Sequence, residues 1–384
     1  MAMYYKEDWE QARARLLAFW EGAESDRCCV AVTAPRKGSG YASYAALQSG
    51  LNASLDALDD NDAEGIRRWW TDPEQNYRRA TEWFEMTYFG GEAIPCTQIN
   101  WGAMAMAAFY GSRPDFRKET VWYHPSITDW SAWEWRFDAA NEPYWQQIQA
   151  ILDCFLQNSP GRYFVGTPEF GSAGDLLSLM RGMERLALDL LEYPEAVEAG
   201  IRTLAQGWID LNESVCRKTA TTNQGGGVLN WMLLWGPGRI RQLACDFSSV
   251  ISPRMFRRFF VPELQFASTW GELGVYHLDG PAAMRSTLDI LLELPEIDTI
   301  QFTPGENMAP TASPHYLPAY QKIQAAGKRL YLLVKPEEVE PLLRVLSPQG
   351  LFLRTSVDTQ EQAQDLLRLA ERASRLASNG RKQG

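Results

Sequence analysis

The chain has 384 residues, a net charge of −11, 45% hydrophobic and 22% charged residues. That balance belongs to a globular protein long enough to bury a full core. An acidic chain without a basic block lacks the surface that nonspecific nucleic-acid binding requires.

The N-terminal stretch "MAMYYKEDWEQARARLLAFWEG" is interrupted by Lys6, Glu7, Asp8 and Glu10, so it reads as a helix within 1–25 rather than a signal peptide. No later stretch approaches the roughly 18 apolar residues of a membrane helix. The expectation is a cytoplasmic protein. Short β-type runs then follow in order: "CCVAVT" (28–33), "AIPCTQI" (93–99), "RYFVGT" (162–167) and "IRQLACD" (240–246). They continue with "GVYHLD" (274–279), "DTIQFT" (298–303), "LYLLVK" (330–335) and "LFLRTS" (351–356).

Between the runs lie helical patterns. After Pro194, Val197, Ile201, Leu204, Trp208 and Leu211 recur on one helical face. "KPEEVEPLLRVL" places Pro336 where a first-turn proline fits, and "DTQEQAQDLLRLAERAS" offers Asp358 with Glu361 as a capping pair. Eight runs alternating with helices predict an α/β fold, a single (β/α)8 TIM barrel over 1–384. An open doubly wound sheet is the alternative, but no Gly-rich phosphate loop follows the first run. The connections 34–92 and 99–161 exceed an ordinary loop and are expected to carry helical insertions over the barrel mouth.

Six cysteines at 28, 29, 96, 154, 216 and 245 form no C-x-x-C pair and read as reduced, mostly buried thiols. Five tryptophans crowd one segment: Trp122, Trp130, Trp133, Trp135 and Trp145. Core filling is the favoured reading, and a stacking wall for a flat ligand the sharper one.

In a barrel the active site is built where strands finish. The run ends offer Arg36, Asn100, Trp101, Glu169, Asp246, His277, Asp279, Glu306, Lys335, Arg354 and Ser356. His277 and Asp279, two apart on a strand, should share a face. They suit either a divalent metal site, with Asp246 or Glu169 as third ligand, or an acid–base pair in which the carboxylate orients the imidazole. A strand-end histidine without chemistry is the bland reading. Asp246 after an apolar run should face a cavity, because Ser252 before Pro253 already suits the next helix cap. Lys335 and Arg354 could balance an anionic substrate or serve structural pairs. Asp246 with Glu169 would also suit a glycoside hydrolase, and a non-catalytic ligand-binding barrel is the remaining reading.

The stretch "CDFSSVISPRMFRRFFVPEL", followed by "GVYHLDG", "IDTIQFTPGEN", "YQKIQAAGKRLYLLV" and "LFLRTS", resembles the uroporphyrinogen decarboxylase superfamily. The upstream "FGSAGDLLSLMRGMERLALDLLEYPEAVEAGIRTLAQGWIDL" is similar to its helical segment after the third strand. The resemblance implies a β/α barrel that is often a homodimer, and it offers two chemistries. The decarboxylases grip a tetrapyrrole's acid groups with an R-Q-A-G-R motif; here "APRKGSGYASY" keeps only Arg36 and Lys37. The corrinoid- and coenzyme M-linked methyltransferases, similar also to cobalamin-independent methionine synthase, hold zinc with an H-x-C pair and a later cysteine. His277 matches that histidine, Asp279 stands at the cysteine position, and "LFLRTSVDT" has no cysteine. The resemblance therefore implies methyl transfer to a small organic substrate, linked to a corrinoid protein, with a site at His277, Asp279, Asp246 and Glu169. Trp101, Asn100, Lys335, Arg354 and Arg36 are the expected substrate contacts. If a metal is held, His277 and Asp279 are its expected ligands, in an oxygen/nitrogen site rather than a thiolate one. Decarboxylation of a tetrapyrrole or related acid is the alternative.

Overall fold

The computed structural model describes residues 3–381. Its strands are β1 (Cys29–Pro35), β2 (Thr87–Gly91), β3 (Cys96–Thr97), β4 (Pro114–Phe116), β5 (Val121–Tyr123), β6 (Phe164–Val165) and β7 (Gly226–Leu229). They continue as β8 (Leu234–Pro237), β9 (Ile240–Ala244), β10 (Leu273–Asp279), β11 (Thr299–Thr303), β12 (Arg329–Leu333) and β13 (Leu351–Ser356). The central sheet has seven strands in the order β2-β1-β13-β12-β11-β10-β9. All run parallel except β2, which is antiparallel to β1. Every residue of β1 is buried, as a parallel strand covered on both faces requires.

Beyond β9 the parallel course continues through single bridges, Gly226 with Gly238 and Thr167 with Leu229, to the short pair β6–β3. This is a mixed α/β fold around a large parallel sheet. A closed (β/α)8 barrel is not observed. The edge of β1 that closure would need pairs with β2, register Ala31 to Gly91, and among the described residues β3 pairs only with β6. The eight apolar runs all contain strands, but β2, β4, β5, β7 and β8 lie outside them.

The expected N-terminal helix spans Trp9–Glu21 and buries Trp9, Ala12, Leu16, Phe19 and Trp20. The helix Pro194–Thr219 buries the five residues anticipated for its inner face. The connection 34–92 carries helices Tyr44–Asp56, Ala63–Thr71 and Pro73–Met86; 99–161 carries Met106–Phe109, the β4–β5 hairpin and Pro143–Asn158. Pro336 opens a short 3-10 turn, Pro336–Glu338, that leads into the helix Val339–Val345. The last helix, Gln360–Arg381, is capped one residue later than expected. Thr359 Oγ1 accepts from Gln362 N at 3.1 Å and Gln362 Oε1 from Thr359 N at 3.1 Å, while Asp358 instead accepts from Tyr44 N at 3.1 Å.

The cysteines are free, with Cys28, Cys29, Cys96 and Cys245 buried. The Trp122–Trp145 cluster is largely core. Trp145 is buried, and Trp130, Trp133 and Trp135 pack against the core, whereas Trp122 is 61% exposed. No described helix is long and apolar enough to cross a membrane.

Candidate functional site

The turn after β9, "ACDFSS", is gripped from the "SAGD" start of the helix Ala173–Arg181. Ser172 Oγ accepts from Ala244 N at 2.7 Å, and Asp175 Oδ1 accepts from Phe247 N at 3.1 Å. Asp246, between these anchors, opens the 3-10 turn Asp246–Val250, while Ser252 caps the next helix by accepting from Met255 N at 3.3 Å. Asp246 is thus free of capping duty. Glu263 completes the support, with Oε1 accepting from Ala173 N at 2.6 Å and Oε2 from Gly174 N at 3.3 Å. Gly174 is required here, since a Cβ would meet Phe260 ring carbons at 2.8 Å and Cys245 Sγ at 3.1 Å.

On β10, His277 lies in register with Gln301 of β11 and Ala244 of β9. Its Nδ1 is hydrogen-bonded to Gln301 Oε1. Gln301 is fully buried, and its Nε2 donates to Thr303 Oγ1 at 2.9 Å, which turns the amide oxygen toward the imidazole. With the amide in this orientation, a neutral imidazole carries its proton on Nδ1 and its lone pair on Nε2. Trp231 meets the imidazole edge-to-face, centroids 5.4 Å apart, and is itself held by Nε1 donating to Gln242 Oε1 at 2.9 Å.

These side chains wall a cavity of about 260 Å³ at the carboxyl ends of the strands. His277, Asp246, Asp175 and Glu169 all line it, with Asn230, Trp231 and Gln242, and with Trp208 and Asn212 from the long helix. Burial alone pushes the Glu169 carboxyl up to about 7. Burial and then the neighbouring Asp246 raise Asp175. Asp246 is raised by burial, with His277 opposing and Asp279 adding to the shift. The site is therefore an imidazole among carboxyl groups that hold their protons unusually tightly.

Asp279 shares the His277 face of β10 and precedes the helix Gly280–Glu293, but its side chain makes no cap hydrogen bond. Its charge acts on Asp246 and Asp175. Among the described residues no group of three or more His, Cys, Asp and Glu side chains stands together as a metal-ion site. His277 and Asp279 are thus not joined by a third such side chain.

The other sequence candidates scatter. Arg354 and Asn100 line a second cavity, whereas Trp101 is core, 1% exposed, with Nε1 donating to Trp70 O at 3.3 Å. Arg36 donates to Thr87 O at 3.1 Å at the start of β2, and Glu306 and Lys335 are exposed. Lys335 accordingly reads as a cap, its backbone N donating to Glu338 Oε2 at 2.7 Å. The crowded tryptophans wall neither cavity; Trp208 and Trp231 line the first, and Trp69, Trp70 and Trp83 the second. Asp175, Gln301 and Trp231 were missed. The available signal was a carboxylate in the apolar helix start "SAGDLLSLM" and an amide in the strand "TIQFT".

No family model matches the sequence, and no curated protein matches it. The fold is similar to that of a methyltransferase from Methanosarcina mazei, with a TM-score of 0.61 over 94% of this chain and 98% of that one, at 12% identity. At that identity the likeness is one of fold.

Proposed function

We propose that the protein is a methyltransferase-type enzyme in which His277 removes a proton from a small nucleophile as that atom receives a methyl group. The observation that supports this is the Thr303–Gln301–His277 chain, which holds the imidazole by Nδ1 and leaves Nε2 outside that hydrogen bond as the base. In the step, the thiol or hydroxyl hydrogen passes to Nε2 and its electron pair forms the new bond to carbon. The donor departs with the old bonding pair. The near-complete overlap with a methyltransferase fold supports the class, and the resemblance in order around "YHLDG" supports a corrinoid protein as methyl donor. Asp246 and Asp279 then stabilise the imidazolium that forms, and Glu169 and Asp175 orient the substrate. A homodimer is part of the same proposal.

A cavity of about 260 Å³ fits a small substrate better than a tetrapyrrole macrocycle. One observation favours a second reading, decarboxylation of a small acid: the Glu169 carboxyl, held up to about 7, is a proton donor suited to quenching a carbanion.

The test supplies methylcobalamin with a panel of small thiols and alcohols and follows loss of the methyl–cobalt absorbance. The wild-type protein is expected to transfer methyl, and His277→Ala to lose activity by about 10²–10⁴-fold with its circular dichroism unchanged. A folded His277→Ala protein that transfers at the wild-type rate would sink the assignment. Release of CO2 from small carboxylic acids without methyl transfer would favour the second reading.

A further inference from the structure

We infer that a second cavity beside the His277 site binds the carboxylate of a small aromatic or conjugated acid, held by Arg354 and Arg79. The inference goes beyond methyl transfer and does not depend on it.

The cavity, about 430 Å³, lies between the end of β13 and the helices of the 34–92 connection. Arg354, half-buried on β13, has no carboxylate or carbonyl within hydrogen-bond distance of its guanidinium among the described residues. Arg27 and Arg241, which are buried more deeply, and Arg181 find acceptors, whereas the buried Nε atoms of Arg13 and Arg36 do not. Arg27 holds Glu92 at 2.6 Å, Arg181 holds Asp189 at 2.5 Å, and Arg241 binds Glu296 O at 2.8 Å. A partly desolvated cation without an acceptor is costly unless a ligand or solvent meets it.

A second observation points the same way. Arg79 lies 3.7 Å over the Trp69 ring and donates one hydrogen bond, to Trp69 O at 2.9 Å, which leaves donors of its fork unused. Of the remaining charges, Lys118 already pairs with Asp60 at 2.7 Å, and the acids Asp56 and Glu119 are exposed. The unspent groups are thus two guanidiniums, donors that a planar carboxylate accepts well. The indoles of Trp69 and Trp70 supply flat apolar surface for the rest of such a molecule.

The two cavities abut. Gln98 Nε2 and Cys96 Sγ, which line this one, reach Asn230 O at 3.4 Å and 3.6 Å, and Asn230 lines the His277 cavity. A ligand bound here would sit one wall away from the proposed base.

Benzoate is the probe, titrated calorimetrically into the full chain, with benzamide as its neutral isostere. Benzoate is expected to bind at least about tenfold more tightly than benzamide, and Arg354→Gln and Arg79→Gln each to weaken it about tenfold or more. His277→Ala should leave benzoate affinity unchanged. The inference is overturned if benzoate does not bind at millimolar concentration, or if folded Arg354→Gln and Arg79→Gln proteins bind it like wild type. Loss of benzoate binding in His277→Ala, or displacement of benzoate by a lower concentration of inorganic phosphate, overturns it equally. Should Arg354→Gln not fold, Arg79→Gln decides the matter.

Discussion

Gln301 decides whether His277 is a base or a bystander. A fully buried amide that donates to Thr303 Oγ1 has one remaining use for its oxygen, and it spends that on the imidazole. Gln301→Leu keeps the volume of the side chain but frees the tautomer. It should lower kcat by about 10–100-fold, the usual cost of losing an orienting partner, with little change in KM; a kinetic comparison with wild type checks it. Glu169 is the second residue with a defined task. Burial moves its ionisation from about 4.5 to about 7, so it is neutral at pH 6 and charged at pH 8. The kcat/KM profile of the wild-type enzyme should therefore inflect near pH 7, and Glu169→Gln should remove that inflection. At this scale the sequence was partly legible. His277 and Asp246 could be read because a polar group closing an apolar strand must be paid for by a cavity or a partner. Asp175 and Gln301 could not, since a carboxylate or amide inside an apolar segment acquires its role only from the residue that folding brings opposite.

Strands were the most legible elements, because a parallel sheet covered on both faces demands continuous apolar runs, and β1 and β9 to β13 have them. β7 was hidden by its own glycines. "GGGVLN" reads as a turn, yet Gly226 and Gly227 are there because the backbone of β8 and β9 passes too close for side chains, with Gly236 O 2.6 Å from a Cβ at Gly226 and Ile240 N 2.9 Å from one at Gly227. β2 was hidden inside a helical insertion, and it occupies the edge of the sheet beside β1; apolar periodicity identifies a strand but not its neighbour. Gly166, just after β6, obeys the same logic as β7. A Cβ there would meet Thr97 O at 2.4 Å and Asn230 Cβ at 2.6 Å, so the wall between the two cavities depends on its absence. Gly166→Ala should destabilise the protein by about 1–3 kcal/mol, because a backbone oxygen cannot turn aside as a flexible side chain can. Calorimetry should show a lower Tm, and because Asn230 shifts, both catalysis and benzoate binding should weaken together.

Over the whole molecule, the buried acids tie stability to pH in an unusual direction. Asp26, drawn well below the usual carboxylate range by Arg15, contributes in the familiar sense, lost as pH falls, but the pair is partly exposed and screened. Glu263 works the other way and is almost fully buried. Burial raises it from about 4.5 to about 8, with only the two backbone donors Ala173 N and Gly174 N opposing. Between those values the folded protein keeps a proton that the unfolded chain has released. The contribution is therefore complete below about pH 4.5 and is lost as pH rises through about 8. Asp175 is shifted in the same direction by the same cause, so both groups destabilise the start of the helix Ala173–Arg181 in alkaline solution. A chain with a net charge of −11 adds general self-repulsion there. Glu263→Gln keeps an acceptor for Ala173 N and removes the ionisation. Urea unfolding at pH 5 should find the variant equal to wild type or slightly weaker, and at pH 9 more stable by on the order of a few kcal/mol. Parallel stability curves for the two proteins between pH 5 and pH 9 would show that Glu263 does not carry the dependence.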